Sequence, residues 1–195
     1  MRTFLYLLWS KFITFVGDTK FFGWKRPFWF VFNASGYKLR GEHYREVIKI
    51  IKPGDVLLSR SEQYLDTYLI PGFWTHAGFY FGGTKERVIH AISDGVIIED
   101  IINFMRTDVL VVLRPHEHHI ERAIALAKSM INMEYDFIFD FNNKNRLSCT
   151  ELIYCCYPRL IQPKKRMGKM MVVADDIFFD TESFTVIWDS RKHKA

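Results

Sequence analysis

Cys149 stands in the stretch RLSCTELIYCC, residues 146–156, of a chain with three cysteines in all. Ser148-Cys149-Thr150-Glu151 reads as a capping box, in which the serine hydroxyl and the glutamate carboxylate satisfy free N–H groups at a helix start. Cys149 then falls in the first turn. There the unpaired N–H groups and the helix dipole favour negative charge, which lowers a thiol's pKa. A thiol so placed is a candidate nucleophile. The same position also suits a small buried hydrophobe beside a helix cap. A base elsewhere in the chain decides between the two.

Two histidines are candidates for that base. WTHAGFYFG (74–82) and RVIHAI (87–92) read as neighbouring strands of a hairpin. By strand parity His76 shares a face with Gly78 and Tyr80, and His90 with Val88 and Ile92. Each alone has the pattern of a satisfied core histidine. Together they can pair across the hairpin, the second orienting the first and fixing its tautomer. Thiol, imidazole and orienting group form a nucleophile–base–orienter set. The base takes the thiol proton and later protonates the leaving group. N–H groups at the helix start are candidate oxyanion donors. HEHH at 116–119 does not qualify as a metal motif, because residue 120 is isoleucine where H-E-x-x-H needs histidine. Its histidines read as exposed residues in the first turn of a helix, and no metal or organic cofactor is expected.

Strands and helices in a particular order must carry these residues. GEHYREVIKII (41–51) has helical spacing, and Pro53-Gly54 turns the chain into a strand starting at Val56. Residues 60–74 are less regular, with a short helix ending at Pro71-Gly72. Asp94-Gly95 is a tight-turn signal, and VIIED (96–100) continues the meander. IINFMR reads as a short helix, VLVVLRP (109–115) as an apolar strand, and 116–133 as the clearest helix. YDFIFDFNN is irregular. The Cys149 helix follows, and MMVV and FTVIW read as short strands flanking ADDIF. Strands and helices with local antiparallel connections imply an α+β fold, an antiparallel sheet packed against helices.

Composition bounds the class. The 195 residues are 49% apolar and 25% charged, as in one globular domain with an appendage. Three cysteines, two of them adjacent, make no disulfide framework and suit a reducing compartment. The formal charge of +5 is compatible with an anionic partner such as a membrane surface. Much of it lies at Arg159, Lys164, Lys165, Arg166 and Lys169 and in the tail from Arg191, both read as solvated charge. The boundaries read as an aromatic-rich leader at 1–40, a domain at 41–190 and a basic tail at 191–195. Lys11 and Asp18 interrupt the leader's apolar run before the ~20 residues that cross a bilayer, and no signal-peptide cleavage site follows. FFGWKRPFWFVFN has seven aromatic side chains in thirteen residues. Residues 1–32 suit peripheral contact with a lipid interface, or packing on the protein or in a homodimer. The expected compartment is the cytoplasm or a membrane surface. No nucleic-acid module is present.

The succession IKPGDVLLSR, WTHAGFYFGG, RVIHAISDGVIIED, VLVVLRP, YDFIFDF and LSCTELIYCCY resembles the circularly permuted, NlpC-type papain-like amidases of the YaeF/YiiX group. Poxvirus relatives and lecithin:retinol acyltransferase-type enzymes share that architecture. The match covers about residues 50–160 in motif order, and the order is more specific than any single motif. The resemblance implies a cysteine hydrolase with an antiparallel sheet or partial barrel, Cys149 as nucleophile, His76 as base and His90 at the third polar position. That third position is often glutamate in the YiiX group, and histidine is closer to the acyltransferase branch. Three activities are therefore carried forward: hydrolysis of an amide bond in a peptide, cell-wall fragment or N-acyl small molecule; lipid acyl transfer or phospholipase-type hydrolysis; and ligand capture without catalysis. Tyr135, Asp136, Arg60 and Tyr64 are expected to line the substrate cleft, with Tyr80 on the His76 face.

Overall fold

A computed structural model describes residues 19–21, 30–32, 36–62, 70–117, 119–137, 141, 145–166 and 168–193. The chain divides into two compact units, Met1–Gly36 and Tyr37–Ala195. The first contains an antiparallel pair, β1 (Thr19–Phe21) with β2 (Phe30–Phe32). Residues 1–18, 22–29 and 33–35 of the leader lie outside the described residues.

The second unit is built on one six-stranded antiparallel sheet. Its strands are β3 (Val56–Arg60), β4 (His76–Gly82), β5 (Arg87–Ile92), β6 (Gly95–Asp100), β7 (Val109–Pro115) and β12 (Phe184–Asp189), in the order β12-β7-β3-β4-β5-β6. The alternation of buried side chains sorts the strands onto two cores. Val56, Leu58, Ala77, Phe79, Ile89, Val111 and Leu113 face one side. Leu57, Tyr80, Val88, Leu110 and Val112 face the other. Both faces are covered, which is why VLVVLRP reads as a continuous apolar run and not as an alternating one.

Helices α3 (Ile120–Ser129), α4 (Cys149–Cys156) and α5 (Ala174–Phe178) contribute Ala123, Ala127, Leu152, Ile153 and Ile177 to the first core. Helices α1 (Gly41–Ile50) and α2 (Ile101–Phe104) contribute Val47, Ile101 and Phe104 to the second. Short pairs complete the unit: β8 (Glu134–Tyr135) with β9 (Arg146–Leu147), and β10 (Lys164–Arg166) with β11 (Lys169–Met171).

Three differences from the sequence reading matter. First, α3 begins at Ile120, so His116 and His119 precede it, and His119 is its N-cap. The His116 ring is held by the Glu182 carbonyl at 2.6 Å and the Thr185 hydroxyl at 2.7 Å, which ties that segment to β12. Second, α3 stops at Ser129, and Asn132 lies just beyond it at a φ of 71° that no right-handed helix adopts. Third, Lys164–Arg166 forms a strand, with Arg166 and Lys164 paired to Asp176. The charge there is partly structural.

Candidate active site

The capping box that positions Cys149 is present. The Glu151 N–H donates to the Ser148 hydroxyl at 3.3 Å, and the Ser148 N–H donates to the Glu151 carboxylate at 2.7 Å. Cys149 is thereby the first residue of α4 and is 5% exposed. Its sulfur interacts with the N–H groups of Ala77, Thr150 and Cys149 itself, all of which favour the thiolate. Burial outweighs them and pushes the thiol up to about 11. The sequence reading expected a lowered value. Three N–H dipoles do not replace the hydration that a thiolate loses at a fully packed helix tip.

The two histidines meet across the β4–β5 hairpin, in the register that pairs Gly78 with His90. Nε2 of His76 lies 2.8 Å from Nδ1 of His90. Both rings rest on Phe104, with centroids 5.5 and 5.2 Å away. Gly78, between them in the β4–β5 register, leaves the room that Phe104 occupies. Burial holds His76 down to about 3, helped by the adjacent His90, and burial holds His90 down to about 4. At neutral pH both imidazoles are uncharged.

A third residue joins them that the sequence reading did not single out. Oε2 of Glu99 lies 3.1 Å from Nε2 of His90. The approach falls short of hydrogen-bond geometry, so among the described residues the buried Nε2 has no hydrogen-bond partner. The signal for Glu99 was available. The tight turn pairs Ile92 with Gly95, and counting on from there pairs Val88 with Glu99 and puts Glu99 on the face of His90.

Cys149 and His76 belong to opposite faces of β4. The thiol packs in the first core, and the imidazole rests on a ring of the second. The β4–β5 ladder ends at Gly78 and His90, two residues short of the β4 start at His76. A cavity of about 350 Å³ occupies this region. Its wall includes His76, His90 and Glu99 from one face and Thr75 and Ala91, which have the parity of Ala77, from the other. Cys149 does not itself line the cavity. Its sulfur lies against the backbone N–H of Ala77, the residue next to His76 in β4.

The remaining predicted cleft residues separate. Tyr135 lines the cavity. Tyr80 does not: it is buried in the second core farther along β4, where its hydroxyl donates to Glu86. Asp136, next to Tyr135, does not line the cavity: it is 1% exposed, and its N–H donates to the Leu147 carbonyl at 3.2 Å beside the β8–β9 pair. Arg60 turns away onto the Phe73 carbonyl and ring. Tyr64 lies outside the described residues. Ser59, Ser61, Asn103, Arg106 and Thr107 complete much of the wall and carried no motif that the sequence could reveal.

An antiparallel sheet with a cysteine at the tip of a packed helix, and the histidine strand ahead of that helix in the chain, is a permuted papain-like architecture. The chain belongs to the family of permuted papain-like amidase enzymes called YaeF/YiiX, or C92, whose sequence profile matches residues 50–189. The fold is similar to the crystal structure of the metalloprotein yiiX from Escherichia coli O157:H7, with a TM-score of 0.60 and 16% identity over 70% of this chain and 96% of that one. No curated protein matches the chain. Among the described residues there is no cluster of three or more His, Cys, Asp or Glu able to hold a metal ion, and no helix long and apolar enough to cross a membrane.

Proposed function

We propose that the protein is a cysteine hydrolase that cleaves an amide bond in a small polar, peptide-like substrate through an acyl-thioester on Cys149. The observation that carries this reading is that the Cys149 sulfur rests on the backbone N–H of Ala77, the residue next to His76, whose ring pairs with His90 at the wall of the cavity. Family membership supports amide chemistry. The wall is rich in hydroxyl, amide and charged groups (Ser59, Ser61, Thr107, Asn103, Arg106, Glu99), which suits a polar substrate better than a long acyl chain.

In this reading Nδ1 of His76, the nitrogen not used toward His90, removes the thiol proton as sulfur attacks the carbonyl carbon. The C–S bond forms and the carbonyl pair moves to oxygen, where N–H groups of the first turn of α4 receive it. His76 returns the proton to the leaving nitrogen as the C–N bond breaks. Water then attacks the thioester, giving its proton to His76, and the acid departs as the thiol is restored.

The test is mass spectrometry after incubation with p-nitrophenyl acetate at pH 7. An acetyl group is expected on Cys149, absent from Cys149→Ser and reduced about 100-fold in rate in His76→Ala. Equal acetylation of parent and His76→Ala overturns the reading. Hydrolysis of an N-acyl amino acid anilide, but not of a long-chain phospholipid vesicle, separates amide chemistry from the lipid alternative.

A further inference from the structure

Two neutral imidazoles in a row can share their protons in two ways. In one, each carries its proton on Nε2: His76 donates to His90, and Nδ1 of His76 is bare and basic. In the other, each carries it on Nδ1: His90 donates to His76, and Nδ1 of His76 is a donor that cannot accept a thiol proton. The 2.8 Å separation is compatible with both. The choice falls to whatever faces the far nitrogen, Nε2 of His90, and the group there is Glu99 at 3.1 Å.

We propose that Glu99 is a positioning residue that selects the Nε2–H tautomer of both histidines, and so keeps Nδ1 of His76 free to act as the base. This rests on the hydrolase reading for its consequence, but not for the tautomers themselves. A carboxylate attracts an N–H and repels a bare ring nitrogen, so the proton on His90 is held at Nε2. Nδ1 of His90 is then an acceptor, and Nε2 of His76 must donate to it. One carboxylate thus sets the protonation of a ring that it does not touch. The buried Nε2, without a full hydrogen bond, is the atom left waiting for this partner. Glu99 has the freedom to supply it, since its side chain is 29% exposed at the cavity wall.

The charges around Glu99 are mixed. Burial raises its pKa, Arg106 lowers it and Asp100 raises it. When His76 takes the thiol proton, the cation formed on the histidine pair faces this carboxylate, which stabilises the charged step as well as selecting the tautomer.

The experiment is long-range ¹H–¹⁵N correlation of the imidazoles in uniformly labelled protein at pH 7. The parent is expected to show a bare Nδ1 and a protonated Nε2 on both His76 and His90. Glu99→Leu, on the edge strand β6 and of similar size, is expected to lose that pattern, with Nδ1–H forms appearing on both rings. Its rate of acetylation by p-nitrophenyl acetate is expected to fall at least about tenfold. Nδ1–H on the parent rings, which needs no variant to observe, overturns the proposal, and so do unchanged tautomers in Glu99→Leu. A tautomer change with no loss of acetylation leaves the Glu99 assignment standing and removes the hydrolase reading instead.

Discussion

A side-chain carbon added to Gly78 would lie 2.6 Å from Cε2 of Phe104 and 2.7 Å from Cγ1 of Val88. The glycine is required by space, since its backbone is an ordinary strand. Phe104 is the ring on which His76 and His90 both rest. Gly78→Ala is therefore expected to displace Phe104 and loosen the imidazole pair. Overpacking of this kind costs about 1–3 kcal/mol. A lower melting temperature, with acetylation of Cys149 falling further than the loss of folded protein accounts for, is the expected outcome. Unchanged acetylation would show that the pair does not depend on Phe104.

The resting site holds a thiol and two neutral imidazoles. With Cys149 up to about 11 and His76 down to about 3, a preformed thiolate–imidazolium pair is unfavourable at pH 7. Proton transfer belongs to the attack itself. Thiolate absorbance near 240 nm, taken as parent minus Cys149→Ser, should appear as the pH rises toward about 11. Cys155 and Cys156 are also pushed up by burial, and the subtraction removes them. A step below pH 7 would mean that the N–H groups at the helix tip outweigh burial after all.

The same shifts set the acid sensitivity of the fold. A buried histidine with a depressed pKa is neutral when folded but protonated when unfolded between its two pKa values. Over that window the unfolded state binds more protons, so stability falls as pH falls. For His76 and His90 the window runs from the ordinary 6.5 down to about 3 and about 4. Asp176 and Asp189 act lower. Burial alone would raise their pKa values, but Arg166 with Lys164, and Arg191, outweigh it and hold both down. Their contribution is present above the unfolded carboxylate pKa and is lost as pH falls through the folded one. Melting temperature should drop between pH 6.5 and 4.5 in the parent, and by less in the double variant His76→Gln, His90→Gln. Identical losses would show that other groups govern that window.

Much of this arrangement can be read from spacing alone, where it is local. The S-x-x-E box located the α4 cap, and period-two alternation sorted the neighbours of His76 and of His90 on their strands, while the Gly78–His90 register brings the two onto one face. Parity alone shows that Ala77 and His76 diverge, but not that the β4–β5 ladder stops at Gly78 and that a cavity lies beside His76. That depends on where the ladder stops, which is a tertiary property. The sign of the Cys149 shift was missed for a related reason: a helix tip lowers a thiol's pKa only where water or charge remains, and sequence does not show how closely the tip is packed. Tyr80 has the parity of His76 but lies too far along the strand to reach the cavity.

The entry to β4 is held from a distant part of the chain. The Asp175 carboxylate, on α5, accepts the Phe73 N–H at 2.9 Å and the Trp74 N–H at 2.8 Å. Gly72 precedes them at a φ of 104°, and a side-chain carbon there would meet the Asp175 carboxyl carbon at 2.6 Å. Residue 72 thus needs glycine both for its backbone and for the room that the carboxylate takes. Hydrogen bonds to a charged acceptor contribute about 1.5–3 kcal/mol. Asp175→Ala should lose stability on that scale, with faster amide exchange at Phe73 and Trp74. His76 begins two residues later, so the rate of Cys149 acetylation should fall as well. Gly72→Ala should reproduce the exchange pattern although the carboxylate is intact, because the added methyl drives it from the two N–H groups. Protection of Phe73 and Trp74 in both variants would show that Trp74, already packed in the first core with its ring 5.4 Å from Phe178, fixes the strand entry without the carboxylate.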